Sequence, residues 1–309
     1  MAEARPFGRA GTTAAKMRDR TSSTEPDVHD FRRRSRVRGS FCCALIATAA
    51  LAGISPTARS QTTESTGPHT FFTPKDAAVA AGFFAVSAGV SLFDVDIEHF
   101  FLDTARTHVR VGRKLDNIFT RVNETTLTVG GLAVYGIARL ARAQTVADVA
   151  FHVSESVAAA SLTSQVIRGP LGRTRPRNSS PPYDDQYEFH AFGGFRHFEN
   201  RAFPSIHSSS GFAAASVLVA EVHRRSPAAT LPVAIPAYAL ALTPGLSRMY
   251  LGQHWASDIV AGAFLGTFFG WRVVEYSHEH PTTPVDRIFL GKVKHTTTAP
   301  FRFGWTVTF

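Results

Sequence analysis

The sequence has almost no cysteine. Its 309 residues include only two, Cys42 and Cys43, and both lie in an apolar run near the start of the chain. We predict that this run belongs to a leader that is removed from the mature protein. The rest of the chain then lacks thiols, which excludes a disulfide framework, a cysteine nucleophile and a thiolate metal site.

The net excess of positive charge is concentrated in the first part of the chain. The formal net charge is +9, and much of the excess lies in the first forty residues, directly before the apolar run 41–54. A basic segment, an apolar segment and small residues near Ser60 are typical of a secretory leader. We therefore predict four regions: a disordered extension with a leader (1–60), a linker (61–76), a helical domain (77–276) and a tail (277–309).

Alternating strand patterns are absent from most of the chain. Apolar and polar residues alternate only near the end, over 301–309, which predicts a short C-terminal β-strand. Elsewhere, runs rich in Ala, Gly, Leu and Val favour helices. These six runs are 77–93, 127–140, 146–167, 211–222, 231–246 and 256–274. The sequence thus predicts an all-α protein built as a six-helix bundle.

Long uninterrupted apolar runs are also scarce. A helix that spans a membrane needs about 20 mostly apolar residues. Several of the six runs are shorter, and the third carries Asp148, His152 and Glu155. We predict a membrane-embedded bundle, with a soluble or peripheral bundle in the periplasm as the alternative. For His152 and Glu155 we expect a structural hydrogen bond inside the bundle.

Three polar clusters lie at the ends of predicted helices. The first, 168–176, follows the third helix, the second, 203–210, precedes the fourth, and the third, 247–258, precedes the sixth. A long loop rich in proline, glycine and aromatic residues joins the first two clusters. Antiparallel neighbouring helices place the end of one helix beside the start of the next. We therefore expect the three clusters to lie close together.

The clusters contain groups that bind phosphate. Planar guanidinium groups suit phosphate oxygens, and a hydroxyl with backbone N–H groups at a helix N-terminus favours an anion. The candidate phosphate ligands are Arg168, Arg175, Ser205, Ile206 and Arg248. We expect Arg173 and Arg177, by contrast, on a solvated face of the loop.

Two histidines can supply the chemistry of such a site. His254 and Asp258 lie four residues apart, so on a helix they share a face. The carboxylate can then accept a hydrogen bond from one ring nitrogen and leave the other free as a nucleophile. His207 can protonate the leaving oxygen. Since the arginines neutralise the phosphate charge, the site needs no metal or cofactor.

The three clusters resemble the motifs of the type 2 phosphatidic acid phosphatase superfamily, which includes class A acid phosphatases and vanadium haloperoxidases. The family motifs K-x6-R-P, P-S-G-H and S-R-x5-H-x3-D match 168–176, 204–207 and 247–258 in order and in spacing. The resemblance implies that His254 is the nucleophile that forms a phosphohistidine. It also implies that Asp258 orients His254 and that His207 is the general acid and later the base.

Two residues depart from the family motifs. Arg168 replaces the lysine, which keeps the charge but changes its reach and hydrogen-bond geometry. Ile206 replaces the glycine, so a loop that needed a positive φ there would be strained. In that case we expect weakened activity or an altered substrate preference.

Together these observations predict a metal-independent phosphatase that hydrolyses phosphate monoesters or diphosphates of lipids, such as phosphatidic acid or an isoprenyl diphosphate. A soluble periplasmic acid phosphatase, a haloperoxidase and a non-catalytic phosphate-binding protein are the alternatives. We expect a site in the bacterial cell envelope that faces the periplasm. The basic charge lies in the leader and the phosphate site, so we do not expect nucleic-acid binding. The sequence does not predict an oligomeric state.

Overall fold

The described part of the protein is a bundle of α-helices. The computed structural model describes residues 71–107, 121, 123–280 and 285. These residues form no strand beyond one isolated antiparallel bridge, between Arg173 and Phe189. Their α-helices are α1 (Pro74–Ser91), α2 (Asp94–Thr107), α3 (Glu124–Leu140), α4 (Gln144–Leu171), α5 (Ile206–Arg225), α6 (Thr230–Tyr250) and α7 (Ala256–Glu279). The all-α prediction is confirmed.

All six predicted apolar runs lie in helices, one each in α1 and α3 to α7. The structure adds α2, which no apolar run indicates. Acidic residues occupy its first turn, at Asp94 and Asp96, and polar residues interrupt its apolar positions. Helix α2 follows α1 directly, and the two axes are bent by 60°.

Helices α5 and α7 pack closely because α7 carries glycine at the contact. A Cβ atom at Gly262 would collide with the backbone oxygen of Ser205, and one at Gly266 with the backbone oxygen of Ser209. Both contacts advance in the same direction along the two helices, so α5 and α7 run parallel. Their N-termini therefore lie at the same end of the bundle.

Helix α4 runs antiparallel to α5. Ser164 Oγ lies 3.0 Å from Ser209 Oγ, and Ser161 Oγ lies 3.0 Å from Ser210 Oγ. The C-terminal end of α4 is thereby placed level with the N-terminus of α5. We call this the phosphate end of the bundle, and the other end, where α4 begins and α5 and α7 finish, the far end.

Among the described residues, one helical segment, Pro227–Tyr250, is long and apolar enough to cross a membrane by itself. The bent pair α1 and α2 passes the same test when taken together. Embedding in a membrane therefore remains a prediction.

Several predicted features lie outside the described residues, namely the leader, most of the linker and the C-terminal strand. Helix α1 begins at Pro74 and α7 ends at Glu279, so helical structure extends a few residues beyond the predicted 77–276 on both sides. The predicted domain limits are otherwise untested.

Candidate active site

The structure brings the three clusters together at the phosphate end. Arg248 Nη2, in the last turn of α6, lies 2.8 Å from His207 Nε2, in the first turn of α5. The backbone N–H of Ser205 donates to the backbone oxygen of Asp258 at 3.0 Å. Arg175 donates to the side-chain oxygen of Gln253. Each pair joins two clusters that are far apart in the chain.

His254 is buried directly before α7, with one ring nitrogen engaged. Its Nδ1 lies 2.7 Å from the backbone oxygen of Ala202. A carbonyl only accepts, so Nδ1 carries the proton and Nε2 keeps its lone pair. Burial lowers the pKa of this imidazole to about 4, and the Asp258 carboxylate offsets part of that shift. At neutral pH, His254 is therefore an uncharged base with a free Nε2.

The backbone oxygen of Ala202 accepts the hydrogen bond from His254 Nδ1 that the sequence suggested for the Asp258 carboxylate. His254 Nδ1 lies 3.6 Å from Asp258 Oδ2, which is too long for a direct hydrogen bond. Asp258 instead caps α7, because its Oδ2 accepts the backbone N–H of Trp255 at 2.7 Å. Its negative charge still lies beside the imidazole.

Arg173 holds Asp258 in place, and the prediction of a solvated Arg173 is wrong. The side chain is buried, its Nη1 donates to Asp258 Oδ1 at 2.5 Å and its Nη2 donates to Asp94 Oδ2 at 2.8 Å. Asp94 Oδ1 also accepts the backbone N–H of Ser257 at 2.9 Å. The first residue of α2 thus secures the N-terminus of α7. No local sequence pattern indicated this network.

Arg168 and Arg175 are buried arginines with hydrogen-bonding capacity to spare. Arg168 Nη2 donates to the backbone oxygens of Arg201 and Pro204, at 2.7 and 3.2 Å. The Nε atoms of Arg168 and Arg175 are buried and have no partner. Burial, with repulsion from neighbouring arginines, lowers the pKa of Arg168 to about 10 and that of Arg175 to about 9. Both side chains therefore remain cationic at neutral pH.

His207 also has an unsatisfied ring nitrogen. Arginine only donates, so His207 Nε2 accepts from Arg248 and the proton of the neutral ring lies on Nδ1. This Nδ1 is buried without a partner. Burial, and then the charge of Arg248, lowers the pKa of His207 to about 2. An anion in the site would supply the missing acceptor and relieve the repulsion.

Ser205 and Ile206 begin α5 without strain. Ser205 is the N-cap residue, and its hydroxyl oxygen accepts from the Ser208 backbone N–H at 3.5 Å and from the Ser208 hydroxyl at 3.2 Å. Its own hydroxyl proton stays available to an anion. Ile206 lies in the first helical turn and is not among the described residues with positive φ. Its replacement of glycine therefore causes no backbone strain, contrary to the concern that the sequence raised.

Comparison with known proteins identifies relatives of the part of the chain that contains the three clusters. The family model of the PAP2 superfamily matches residues 150–281. This segment is similar to the PAP2 superfamily, and we call it the PAP2 region. It contains all three clusters, and the family resemblance predicted from their motifs is confirmed.

Two curated relatives match parts of the chain. A lipid A 4'-phosphatase from Bacteroides thetaiotaomicron is 32% identical over 121 residues, which is 38% of this chain and 48% of the relative. A lipid A 1-phosphatase from Porphyromonas gingivalis is 35% identical over 69 residues, which is 22% of this chain and 15% of the relative. The matches thus span half or less of the relatives' length.

A solved structure also matches, the transmembrane PAP2 type phosphatidylglycerolphosphate phosphatase from Bacillus subtilis. It is 16% identical, and the alignment covers 78% of this chain and 96% of that chain, with a TM-score of 0.29. Helix α2 precedes the matched PAP2 region, although its Asp94 joins the buried network behind Asp258. The site therefore depends on a residue outside the PAP2 region.

Proposed function

We propose that the chain is a metal-independent phosphatase that hydrolyses lipid phosphate monoesters or diphosphates through a phosphohistidine. One observation carries the proposal: a neutral His254 with a free Nε2 shares one end of the bundle with buried arginines whose donors lack partners. Buried donors without acceptors are costly, and a bound phosphate would satisfy them. The arginine charges would also stabilise the negative charge of the transferred group.

The first half-reaction follows from the placement of the two histidines. His254 Nε2 attacks phosphorus, the N–P bond forms and the bond to the leaving oxygen breaks. The leaving oxygen takes a proton from His207, which must be an imidazolium at this stage. Burial, and then the charges of nearby arginines, keeps His207 neutral in the free protein, and the charge of the bound phosphate would favour the imidazolium.

The second half-reaction regenerates the free histidine. Neutral His207 removes a proton from water while the water oxygen attacks phosphorus. The N–P bond breaks, inorganic phosphate leaves and His254 returns to its neutral form. The hydrogen bond to the carbonyl of Ala202 keeps Nδ1 protonated throughout, so the phosphoryl group forms its bond at Nε2.

A lipid substrate is supported by the loop that covers the phosphate end. The guanidinium of Arg175 stacks on the ring of Phe198 at 3.9 Å, so an apolar surface adjoins a candidate phosphate ligand directly. Five aromatic side chains of this loop are exposed: Tyr187, Phe189, Phe192, Phe195 and Phe198. Two curated relatives are named as lipid A phosphatases, which supports the same substrate class.

We also propose attachment to a bacterial membrane, with the phosphate end facing the periplasm. The candidate span Pro227–Tyr250 supports attachment, and Leu231, Ile235 and Leu240 on this segment are exposed. Exposed leucine and isoleucine side chains on one helix favour contact with lipid. The predicted leader supports export.

A phosphoenzyme trap tests the mechanism. The full chain in detergent is mixed with radiolabelled phosphatidic acid, with and without EDTA, and is quenched in base, which preserves phosphohistidine. We expect label on the wild type and on the control His197→Ala, whose histidine is exposed. In His254→Ala we expect no label and turnover lowered by at least about 10³-fold.

The substrate class is tested in parallel with a lipid phosphate, a lipid diphosphate, a lipid A and a soluble aryl phosphate. Turnover that survives in His254→Ala would overturn the mechanism. Turnover of the soluble phosphate alone would favour a soluble acid phosphatase, and phosphate binding without turnover of any substrate would favour a non-catalytic protein.

A further inference from the structure

A second group of buried polar side chains lies at the far end of the bundle. His152 on α4, Glu221 on α5 and His278 on α7 form this group, which we call the far-end cluster. His152 lies about 24 Å along the axis of α4 from Arg168, at 1.5 Å per residue. The far-end cluster therefore takes no part in phosphate binding.

The ligand atoms of the far-end cluster have the spacing of a metal site. His152 Nδ1 lies 2.7 Å from Glu221 Oε1, and His278 Nε2 lies 3.1 Å from the same oxygen. All three ligand atoms lie within 4.8 Å of one another. Ligand atoms around a tetrahedral Zn²⁺, with bonds of about 2.0–2.1 Å, are roughly 3.3 Å apart. A small outward movement would admit the ion.

Hydrogen bonds to neighbouring residues orient the side chains of the far-end cluster as in a metal site. His152 Nε2 lies 3.0 Å from Ser277 Oγ, so the ring nitrogen that faces away from the cluster has its own partner. Metal-binding histidines almost always make such a contact. Arg225 donates to Glu221 Oε2, which lies 3.3 Å from His278 Nε2, while Oε1 contacts both imidazoles.

A fourth ligand is available from the preceding turn of α4. Asp148 lies four residues before His152, so the two share a helix face. It is 7% exposed, and its Oδ1 is buried without a hydrogen-bond partner. The negative charge of Asp148 interacts with His152, Glu221 and His278. Asp148 is not among the three residues whose ligand atoms lie within 4.8 Å of one another, so its side chain would turn towards the ion to become the fourth ligand.

We propose that His152, Glu221 and His278 bind one Zn²⁺ ion, with Asp148 as the fourth ligand. Two imidazoles with carboxylate oxygens favour zinc over magnesium or calcium, which prefer oxygen ligands alone. The ion would join α4, α5 and α7 at the end of the bundle away from the reaction. Its role is structural, because four protein ligands leave no open position for a substrate.

The test uses the full chain, produced without a histidine tag, loaded with Zn²⁺ and dialysed. We expect about one zinc per chain by elemental analysis, as for a four-ligand site. We also expect intense visible absorption after loading with Co²⁺, which reports tetrahedral coordination. In His278→Gln we expect zinc affinity to fall by at least about tenfold. The glutamine keeps much of the side-chain volume, and far-ultraviolet circular dichroism verifies the fold.

The matched control is His223→Ala. His223 lies on α5 two residues from Glu221 and bonds to Thr230 rather than to the cluster, with Nδ1 3.1 Å from Thr230 Oγ1. We expect this variant to keep its zinc. The proposal is overturned if the wild type retains no zinc and shows no Co²⁺ absorption, or if His278→Gln binds zinc as tightly as the wild type.

Discussion

The two ends of the bundle leave different buried polar atoms without partners. At the phosphate end, Nε of Arg168, Nε of Arg175 and Nδ1 of His207 are donors that lack an acceptor, and Oε2 of the buried Glu98 also has no partner. At the far end, the atom without a partner is an acceptor, Oδ1 of Asp148, whose charge interacts with the imidazoles of the far-end cluster. The three unmet donors favour an anion at the phosphate end, and the unmet acceptor favours a cation at the far end. The same three helices, α4, α5 and α7, contribute to both ends.

The ends also differ in how their buried carboxylates are held. Asp258 has one cationic partner, the buried guanidinium of Arg173, which also pairs with Asp94, besides the backbone N–H of Trp255. Glu221 has three donors, namely His152, His278 and a partly exposed Arg225. Loss of one cation should therefore be more harmful at the phosphate end.

The largest expected effect tests this difference directly. Arg173→Met leaves Asp94 and Asp258 buried without their cation, and we expect it to lower the free energy of unfolding by about 3–5 kcal/mol. Arg225→Met removes one of three donors from Glu221 and should cost about 1 kcal/mol. Thermal or denaturant unfolding of the purified chain measures both. Equal losses would contradict the comparison.

The next effect tests whether the two ends act independently in catalysis. We expect Arg175→Ala to lower kcat/KM for a lipid phosphate by about 10²-fold, because one donor to the transferred phosphoryl group is lost. Asp148→Asn, which removes a far-end charge without changing its shape, should leave kcat/KM within about twofold. Steady-state kinetics on both variants measure these changes in kcat/KM. A comparable loss in Asp148→Asn would show that the ends are coupled.

A third prediction concerns pH at the phosphate end. Burial lowers the pKa of His254 to about 4, so this nucleophile stays neutral far below the usual range of histidine. Protonation removes the lone pair at Nε2, so the uncharged fraction of His254 should fall about tenfold per pH unit below pH 4, which NMR titration of its ring measures. The pH profile must be recorded where circular dichroism verifies that the chain is folded. A fall that begins near pH 6.5 would contradict the buried, uncharged His254.

The smallest expected effect on turnover concerns Ile206. Because this residue lies in the first turn of α5 without a positive φ, Ile206→Gly should not raise turnover. The variant should instead lose about 2–5 kcal/mol of stability, because the buried side chain of Ile206 is removed and glycine adds backbone freedom. Steady-state kinetics and denaturant unfolding of this variant measure the change in turnover and the change in stability. A several-fold gain in kcat would restore the view that the family glycine is needed.

The sequence was sufficient for the helical class and for the residues of the phosphate end. Six apolar runs rich in Ala, Gly, Leu and Val predict six of the α-helices, because composition is a local property of the chain. The three motifs place Arg168, His207 and His254 at helix ends, and the structure brings those ends together. Helix α2 was not predicted, because polar residues interrupt its apolar positions.

The contacts that sequence reasoning missed are non-local. Arg173 has the sequence context of a solvated loop arginine, yet it is buried between Asp94 and Asp258, 79 and 85 residues away. His152 is 69 residues from Glu221 and 125 from Ser277, and nothing in the sequence pairs them.

By itself, the sequence determined which side chains are present at which helix ends, and hence the prediction of a phosphate site. Helix period and motif spacing are local properties, and they can be found in a single chain. Only the tertiary structure decided that a carbonyl rather than Asp258 holds His254, that Arg173 is a buried cation and that the far end has an unpaired acceptor. These outcomes depend on which distant segments pack together and on which polar atoms are left without partners once water is excluded.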